Sequence, residues 1–361
     1  MSFSKAKHRI LMVGPDSNGL GGISRVVRIW EKSGLLNQHG LQYFPSTTDR
    51  PHFRHFLTIW SFLRFLNALF LGAEFVYIHT SVTRSFYRKS LFVLGALLGG
   101  SKVVLHIHPS EFRQFLAGLR GFTKVFVKKL LDRVHVFVVL TQGMHDYMVE
   151  RFPKARVFIL TNPVDLQGLS GRKSYPRDGK TILYLGWFIK EKGVYDLVDA
   201  MAILAGQDAD AHLEFYGTKE IAKLKEYVKE KSLGDRVFVN GWVSGMGKLE
   251  ALHSATMLVL PSHTEGIPNV ILEAMATRTP IVSTGVGGMG EILVDGGNAI
   301  IAEPKNPKDL SEKILSCLRD QQMRERISNN AYEYALANHD IRIIKEHFSK
   351  MIEELNNQRH S

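Results

Sequence analysis

The sequence contains a single cysteine among 361 residues, and this scarcity excludes a disulfide-stabilised scaffold. No basic and then apolar stretch typical of a secretory signal opens the chain, so we expect a cytoplasmic protein. Arg54 and Arg64 interrupt a long apolar and aromatic run, residues 52–71, which makes it a poor membrane span. Hydrophobic residues make up 45% and charged residues 22%, which is typical of a globular chain long enough for two domains.

Acidic residues are scarce in the first half of the chain. Residues 1–170 contain 22 Lys and Arg against 9 Asp and Glu, whereas the remainder contains 24 and 26. This asymmetry suggests an anionic surface as partner, either membrane lipid or nucleic acid. In residues 112–133, basic residues are interspersed with Phe and Leu. This pattern slightly favours a pair of membrane-facing helices over helices whose basic faces are simply solvated. No base-stacking motif accompanies these charges, so we expect no nucleic-acid partner.

Short apolar runs alternate with helical patterns along the whole chain. Such alternation predicts an α/β protein with parallel sheets. A polar segment rich in Gly, Ser and charge, residues 168–179, predicts the domain boundary. We expect an N-terminal Rossmann-like acceptor domain over residues 1–170, a C-terminal Rossmann-like nucleotide-sugar domain over 178–336, and a final helix over 337–361 that packs back toward the first domain. Residues 52–71 form either a helix in a membrane interface or a core helix.

One stretch organises these expectations. An apolar run ending at Leu260 predicts a buried strand, and a polar turn leads to a helix with Pro268 in its first turn, running to about Ala276. The unpaired N–H groups at such a helix start favour a phosphate. Glu265 precedes the helix and Glu273 lies within it. Two carboxylates that flank a phosphate site could each hold a sugar, which predicts a nucleotide-sugar ligand.

The segment Glu265-Gly-Ile-Pro-Asn-Val-Ile-Leu-Glu273 resembles the Glu-x7-Glu motif of retaining glycosyltransferases of family 4. Its context matches as well, with Pro261-Ser262 before it and Gly287-Gly288 after it. The resemblance implies the GT-B fold, in which two Rossmann-like domains face each other across a cleft. It also implies transfer of a sugar, with retention of configuration, from a UDP- or GDP-sugar to a saccharide, without a metal or a cofactor besides the donor.

The resemblance implies roles for individual residues. Lys192 would neutralise the donor diphosphate, Glu265 would bind hydroxyls of the donor sugar, and His108 would line the reacting face. Glu273 would bind the nucleotide ribose. The glycines at 21 and 22 would lie under the diphosphate, and residues 241–243 would cradle the base. The donor-binding residues are thus Gly21, Gly22, Lys190, Gly241, Val243, Gly266, Ile267, Pro268, Asn269, Val270 and Glu273.

One position departs from the family pattern. The predicted strand Lys180–Gly186 leads into a turn, Trp187–Gly193, in which the family usually has an Arg where Trp187 stands. That Arg and the lysine matched by Lys192 together offset the negative charge of the leaving diphosphate. Lys190 is a candidate substitute for the missing cation, and Arg25 is a more distant one.

Two histidines raise the question of a metal site. His106 and His108 share a face of a predicted strand, but no third ligand is spaced nearby, so we expect no metal. We assign function to His108 and a structural role to His106. The segment Asp208-Ala-Asp210 resembles the metal-binding motif of a different glycosyltransferase fold, yet it lies between a helix and a strand and is interpreted as a solvated loop.

Two alternatives to a transferase stay open. A GT-B epimerase would act on the nucleotide-sugar without an acceptor, and a non-catalytic protein would bind it without turnover, as Trp187 suggests. The spacing of Gly19, Gly21 and Gly22 fits a dinucleotide fingerprint poorly, which weakens a dehydrogenase assignment. The basic first half favours a cell-envelope or lipid-linked saccharide as acceptor, with the protein peripheral on the inner face of the plasma membrane.

Overall fold

The structure is a computed structural model that describes residues 9–49, 52, 54–170, 177–207 and 209–357. The chain folds into two compact units, Met1–Pro163 with Ile341–Ser361, and Val164–Asp340. Part of the predicted boundary segment, residues 171–176, lies outside the described residues, as does Asp208.

The first unit is built on a six-stranded parallel sheet in the order β2-β1-β3-β4-β5-β6. Each strand is short and apolar, and a helical segment returns the chain to the starting edge, which makes neighbouring strands parallel. The strands are β1 Ile10–Gly14, β2 Gln42–Pro45, β3 Phe75–Thr80, β4 Lys102–Ile107, β5 Val136–Val139 and β6 Arg156–Ile159.

Helices cover both faces of this sheet. They are α1 Gly22–Lys32, α2 Leu35–Gln38, α3 Arg54–Phe70, α4 Arg84–Leu98, α5 Phe112–Gly118, α6 Gly121–Leu131, α7 Gln142–Arg151 and, from the end of the chain, α16 Ile341–Asn357. The predicted helix pair in residues 112–133 corresponds to α5 and α6.

Strand alternation divides the core of the first unit into two clusters. Leu11 and Val13 of β1 point into the cluster that α3, α4 and α6 cover. Ile10 and Met12 point to the opposite face, where α16 buries residues such as Phe348. Because both faces are covered, β1 and β5 are apolar at every position.

Helix α3 fills residues 54–70 of the apolar run whose role the sequence left open. Its side toward the sheet buries Phe65, Ala68 and Leu69 in the core. The opposite side stays exposed and is also apolar. The core-helix interpretation is therefore confirmed for one side of α3. Within the described part of the chain, no helix combines the length and apolar character that crossing a bilayer requires.

The second unit has its own six-stranded parallel sheet, in the order β12-β11-β10-β7-β8-β9. Two parallel sheets with interleaved helices confirm the predicted α/β class. The strands are β7 Thr181–Phe188, β8 His212–Lys219, β9 Val237–Asn240, β10 Met257–Leu260, β11 Ile281–Thr284 and β12 Ile300–Ala302.

The helices of the second unit are α8 Leu166–Ser170, α9 Val194–Ala205, α10 Ile221–Glu230, α11 Gly245–Ser254, α12 Asn269–Ala276, α13 Met289–Ile292, α14 Pro307–Arg319 and α15 Gln321–Asn338. Strand β7 runs two residues further than the sequence predicts. Trp187 and Phe188 pair with Thr218 and Lys219 of β8, so Trp187 lies in the strand and not in the following turn.

Candidate functional site

The turns after β7 and β10 bring Lys192 and Glu265 together in the second unit. Lys192 ends a short 3-10 turn, Lys190–Lys192, and its Nζ lies 2.5 Å from Oε1 of Glu265. Ser262 Oγ donates a hydrogen bond of 3.1 Å to the same carboxylate oxygen. Both charged side chains are largely but not wholly buried, so the pair is shielded from bulk water yet can reach a ligand.

Gly193 allows the two turns to approach so closely. Its φ of 69° lies in the left-handed region, and a Cβ at this position would collide with the carbonyl oxygen of Pro261. His263 reinforces the approach, because its N–H donates to the carbonyl of Glu191 at 2.9 Å. The His263 ring also lies 2.6 Å from Oδ2 of Asp196 on α9. Because Gly193 has no Cβ, the turn that carries Lys192 can pack against the turn that carries Glu265.

Glu273 lies inside α12 and is 2% exposed. Its Oε2 forms a salt bridge with Nζ of Lys248 on α11. The sequence carries no local signal for Lys248, because nothing in the pattern around it relates it to a residue 25 positions later. Each glutamate of the Glu-x7-Glu motif is therefore paired with a lysine from a different part of the second unit.

Helix α12 begins one residue later than the sequence predicts. Pro268 is the N-cap residue, with an extended ψ of 131°, and Asn269 is the first helical residue. The prediction that Pro268 lies in the first helical turn is therefore wrong by one position, because its ψ is not helical; as the N-cap it contributes its C=O, which accepts from the N–H of Ile271 at 3.1 Å. Gly266 and Ile267 form the turn, and Val270 follows Asn269 in the helix. The helix start faces the same turn as Glu265.

The segment expected to cradle the nucleotide base follows β9. Gly241 accepts a hydrogen bond of 3.2 Å from the N–H of Gly217, which fixes it beside the end of β8. Trp242 is 39% exposed, and Val243 precedes α11. These residues occupy the carboxyl edge of the sheet, where open parallel sheets bind ligands.

Trp187 has a basic neighbour that the sequence analysis did not consider. Nζ of Lys219 lies 5.0 Å from the centre of the Trp187 ring, which is a cation–π contact. Lys219 ends β8 with a left-handed φ of 88°, a conformation that a lysine adopts at a cost in backbone strain. Lys190, the predicted substitute cation, is exposed in the 3-10 turn.

In the first unit, His108 follows the end of β4. Its Nε2 lies 2.9 Å from Nδ1 of His79, and its side chain also hydrogen-bonds Asn162. Burial, together with the nearby Lys89 ammonium, lowers the pKa of His108 to about 3. The imidazole is therefore neutral near pH 7 and can both donate and accept a hydrogen bond.

The expectation that no third metal-ligating residue accompanies the two histidines is wrong. His79, on neighbouring β3, brings three histidines together, with one ligating nitrogen from each within 4.8 Å of the others. Hydrogen bonds already engage nitrogens of all three, since Tyr77 Oη lies 2.9 Å from Nδ1 of His106 and His79 is bonded to His108. Burial lowers the pKa of His79 and of His106 well below 6.5. The rings form a buried hydrogen-bonded stack.

The glycine loop of the first unit lies before α1. Gly21 is the N-cap of that helix and Gly22 its first residue, and the carbonyl of Gly21 accepts from the N–H of Arg25 at 3.1 Å. A Cβ at Gly21 would meet nothing within 4 Å, so space above this backbone is open. Asp210, part of the predicted solvated loop, is exposed and paired with Lys180.

Comparison with known proteins gives these sites a context. Residues 170–334 match the family model of glycosyl transferases group 1. The chain is 28% identical over 289 residues to an uncharacterised glycosyltransferase of Methanocaldococcus jannaschii, covering 79% of this chain and 78% of that protein. Residues 170–334 are thus a glycosyl transferases group 1 domain.

Solved structures agree on the fold. A sucrose-phosphate synthase of Thermosynechococcus elongatus superimposes with a TM-score of 0.78 at 17% identity, over 98% of this chain and 100% of that one. HepE of Anabaena, in complex with UDP-glucose, superimposes with a TM-score of 0.75 at 16% identity, over 96% and 99%. The two parallel sheets match the GT-B fold of two Rossmann-like domains.

Proposed function

We propose that this protein is a retaining glycosyltransferase of family 4 that moves a sugar from a UDP- or GDP-sugar to a cell-envelope or lipid-linked saccharide. The observation that carries the proposal is the Lys192–Glu265 pair beside the start of α12. It places a cation, a carboxylate and a helix amino end at one turn, which are the groups that a diphosphate attached to a sugar requires.

The donor would engage both motif glutamates. An ammonium group has three donors, so Lys192 can keep one bond to Glu265 while it donates others to diphosphate oxygens. Glu265, oriented by Ser262, then accepts from hydroxyls of the donor sugar. Glu273 accepts from the ribose, and Lys248 pairs with that buried carboxylate. With Lys192 and the helix end on the diphosphate, we propose that no metal is needed.

The second positive charge at the diphosphate would come from Lys219. Trp187 occupies the position of the usual Arg, and Lys219 is the cation that lies over its ring. The strained backbone at the end of β8 holds that lysine at the ligand-binding edge of the sheet. Lys190 then has a smaller part in donor binding than the sequence predicts.

For His108 we propose hydrogen bonding to sugar hydroxyls. A neutral imidazole supplies one donor and one acceptor without placing a charge next to the developing positive charge of the sugar. We assign no carboxylate nucleophile. The leaving diphosphate would accept the proton of the acceptor hydroxyl as the new glycosidic bond forms on the same face of the sugar.

A membrane surface is the proposed partner of the first unit. Residues 54–133 carry 12 Lys and Arg against 3 Asp and Glu, which suits anionic lipid. Most exposed large hydrophobic side chains of the described residues lie in the same stretch. They are Phe56, Ile59, Trp60, Leu63, Phe70, Leu71, Tyr87, Leu91, Leu98, Phe122 and Val125.

The exposed residues of α3 explain why lipid is favoured over nucleic acid. Phe56, Ile59, Trp60 and Leu63 recur at helical spacing of three and four, so they share one side of α3. Arg64 lies over the Trp60 ring at 4.6 Å. An apolar stripe bordered by arginines suits insertion at the level of lipid headgroups, which supports the proposed location on the inner face of the plasma membrane.

The experiment that tests the proposed function is a donor screen followed by a turnover assay. Thermal shifts against UDP, GDP, ADP and their sugars identify the nucleotide, because a bound ligand raises the apparent melting temperature. The nucleotide-sugar that gives the thermal shift is then incubated with a lipid-linked acceptor, and the anomeric configuration of the product is determined by NMR. An inverted product contradicts retention.

Trp187 favours one other candidate, a nucleotide-sugar-binding protein without transferase activity. Such a protein would show the thermal shift yet release no nucleotide with any acceptor. An epimerase would convert the nucleotide-sugar in the absence of an acceptor.

A further inference from the structure

Lys89 of α4 is 2% exposed although it carries an amine. Its Nζ lies 3.2 Å from Oγ of Ser85, and across the described residues this is the one hydrogen bond that it makes. An ammonium group has three donors, so two of them are unused. Burying an ammonium group with unused donors is energetically unfavourable unless an anion or further hydrogen-bond acceptors pair with it.

The charged groups around Lys89 are basic. Burial and then Arg88 lower the pKa of Lys89 to about 7. Burial and then Arg54 lower the pKa of Arg88, whose Nε is buried. Lys89 in turn contributes to the lowered pKa of His79 and of His108. As far as the described residues show, none of these groups has a salt bridge to a carboxylate. The cluster therefore lacks an anion.

This basic cluster lies at the ligand-binding edge of the first sheet. Strand β3 ends at Thr80 and α4 begins at Arg84, so Ser85 is in the first turn of a 15-residue helix at the carboxyl edge. His108 follows β4 at the same edge. The amino end of a helix, a buried lysine and a half-buried arginine favour a phosphate group.

We propose that Lys89, with Arg88, Ser85 and the amino end of α4, binds a phosphate of the acceptor. The acceptor is then a phosphate-linked glycolipid, which rests on the proposed transferase function. The lipid part of this assignment comes from α4 itself, whose outer side exposes Tyr87, Leu91 and Leu98. One helix thus presents a phosphate site at its start and an apolar strip along its length.

The test is calorimetric titration of the full-length protein with a short-chain prenyl diphosphate. Lys89→Met keeps the length of the side chain and removes a buried charge, so the variant should fold, which its melting temperature verifies. We expect it to bind at least tenfold more weakly, because a charge-assisted hydrogen bond is lost. Lys89→Arg should stay within a few-fold of the wild type. Lys180→Met, which removes an exposed lysine of the second unit paired with Asp210, is the matched control and should bind normally.

A diphosphate also suits the Lys192 turn, so the titrations are repeated in a Lys192→Met background. If adding Lys89→Met to the Lys192→Met variant leaves its affinity for the prenyl diphosphate unchanged, the proposed phosphate site is wrong. The protein could bind prenyl diphosphate in a Lys89-dependent way and yet neither bind nor turn over any nucleotide-sugar. In that case the transferase proposal fails and the phosphate site stands.

The second possible source of phosphate is an ordinary lipid headgroup. Vesicles of phosphatidylcholine, with and without phosphatidylglycerol, separate the two sources. We expect Lys89→Met to sediment with the anionic vesicles as the wild type does. A loss of vesicle binding as large as the loss for prenyl diphosphate would assign the site to headgroups and overturn its role in acceptor binding.

Discussion

Nζ of Lys192 lies 2.5 Å from Oε1 of Glu265, although 73 positions separate the two residues in sequence. The contact joins the turn after β7 to the turn after β10. It gives each charge a partner within the protein, and under the proposed function it would offer the donor a preorganised cation and carboxylate.

This pair leads to a first prediction about catalysis. Lys192→Met should lower kcat/KM about 10²- to 10³-fold, because the leaving diphosphate loses its main positive charge. Glu265→Gln should lower kcat but leave the affinity for the free nucleoside diphosphate within a few-fold, since its proposed contacts are to the sugar. Steady-state kinetics and nucleotide titration measure both. A Glu265→Gln variant that loses nucleotide affinity instead would show that Glu265 acts mainly by positioning Lys192 for the diphosphate.

The second cation is tested by comparing Lys219 with Lys190. Lys219→Ala should weaken donor binding about tenfold, since a charge-assisted contact to phosphate is removed. Lys190→Ala, an exposed lysine on the neighbouring turn, should change it much less. Donor titration measures both variants. If Lys190→Ala weakens donor binding more than Lys219→Ala does, Lys190 is the second cation, as the sequence predicts.

Gly193 should tolerate no side chain. Gly193→Ala forces a left-handed φ on alanine and pushes Cβ into the Pro261 carbonyl, so we expect a loss of about 2 kcal/mol in stability and a larger loss of activity. Gly234→Ala is the control, because its Cβ would meet nothing within 4 Å. Denaturant midpoints and kcat/KM are the measurements. An active, stable Gly193→Ala would show that the two turns need not be held together.

Membrane binding should depend on the exposed side of α3. Trp60→Gln combined with Leu63→Gln should reduce sedimentation with anionic vesicles about tenfold, because two side chains lose burial in the headgroup region. Val294→Gln alters an equally exposed apolar residue of the second unit and serves as the control. Binding should also fall with added salt. If anionic vesicles fail to sediment the wild type at low salt, the membrane proposal is lost.

Stability should depend on pH in two windows. Unfolded histidines take up protons near pH 6.5, whereas burial keeps His79, His106 and His108 neutral in the fold. The unfolded chain therefore binds more protons as pH falls below about 6.5, and stability falls by up to about 1.4 kcal/mol per pH unit for each histidine.

Lys89 adds the second window. Its pKa is about 7 in the fold and 10.5 in the unfolded chain, so between these values the unfolded chain holds the extra proton and stability rises with pH. Lys89→Met should flatten the profile between pH 7 and 10 while leaving the acid window intact. Denaturant midpoints in phosphate-free buffer measure this. An unchanged slope would mean that the amine is not buried in solution.

Much of the fold follows from local patterns. Short, mainly apolar strands with helices between them predict two parallel sheets, because each element is specified by neighbours in sequence. The boundaries that were wrong, at Trp187 and Pro268, depend on strand pairing and on a backbone carbonyl bond that local sequence does not encode. For α3 the sequence permitted two environments, and the structure gives it one packed side and one exposed apolar side.

The sequence by itself determined the α/β class, the Glu-x7-Glu turn and the basic first half. The tertiary structure alone decided which charges meet, because the contacts join residues far apart in the chain. It paired Lys192 with Glu265 and Lys248 with Glu273, and set Lys219 over Trp187. It also buried Lys89 without a carboxylate near a stack of three histidines, an arrangement that only the packing of α4 onto the sheet could reveal.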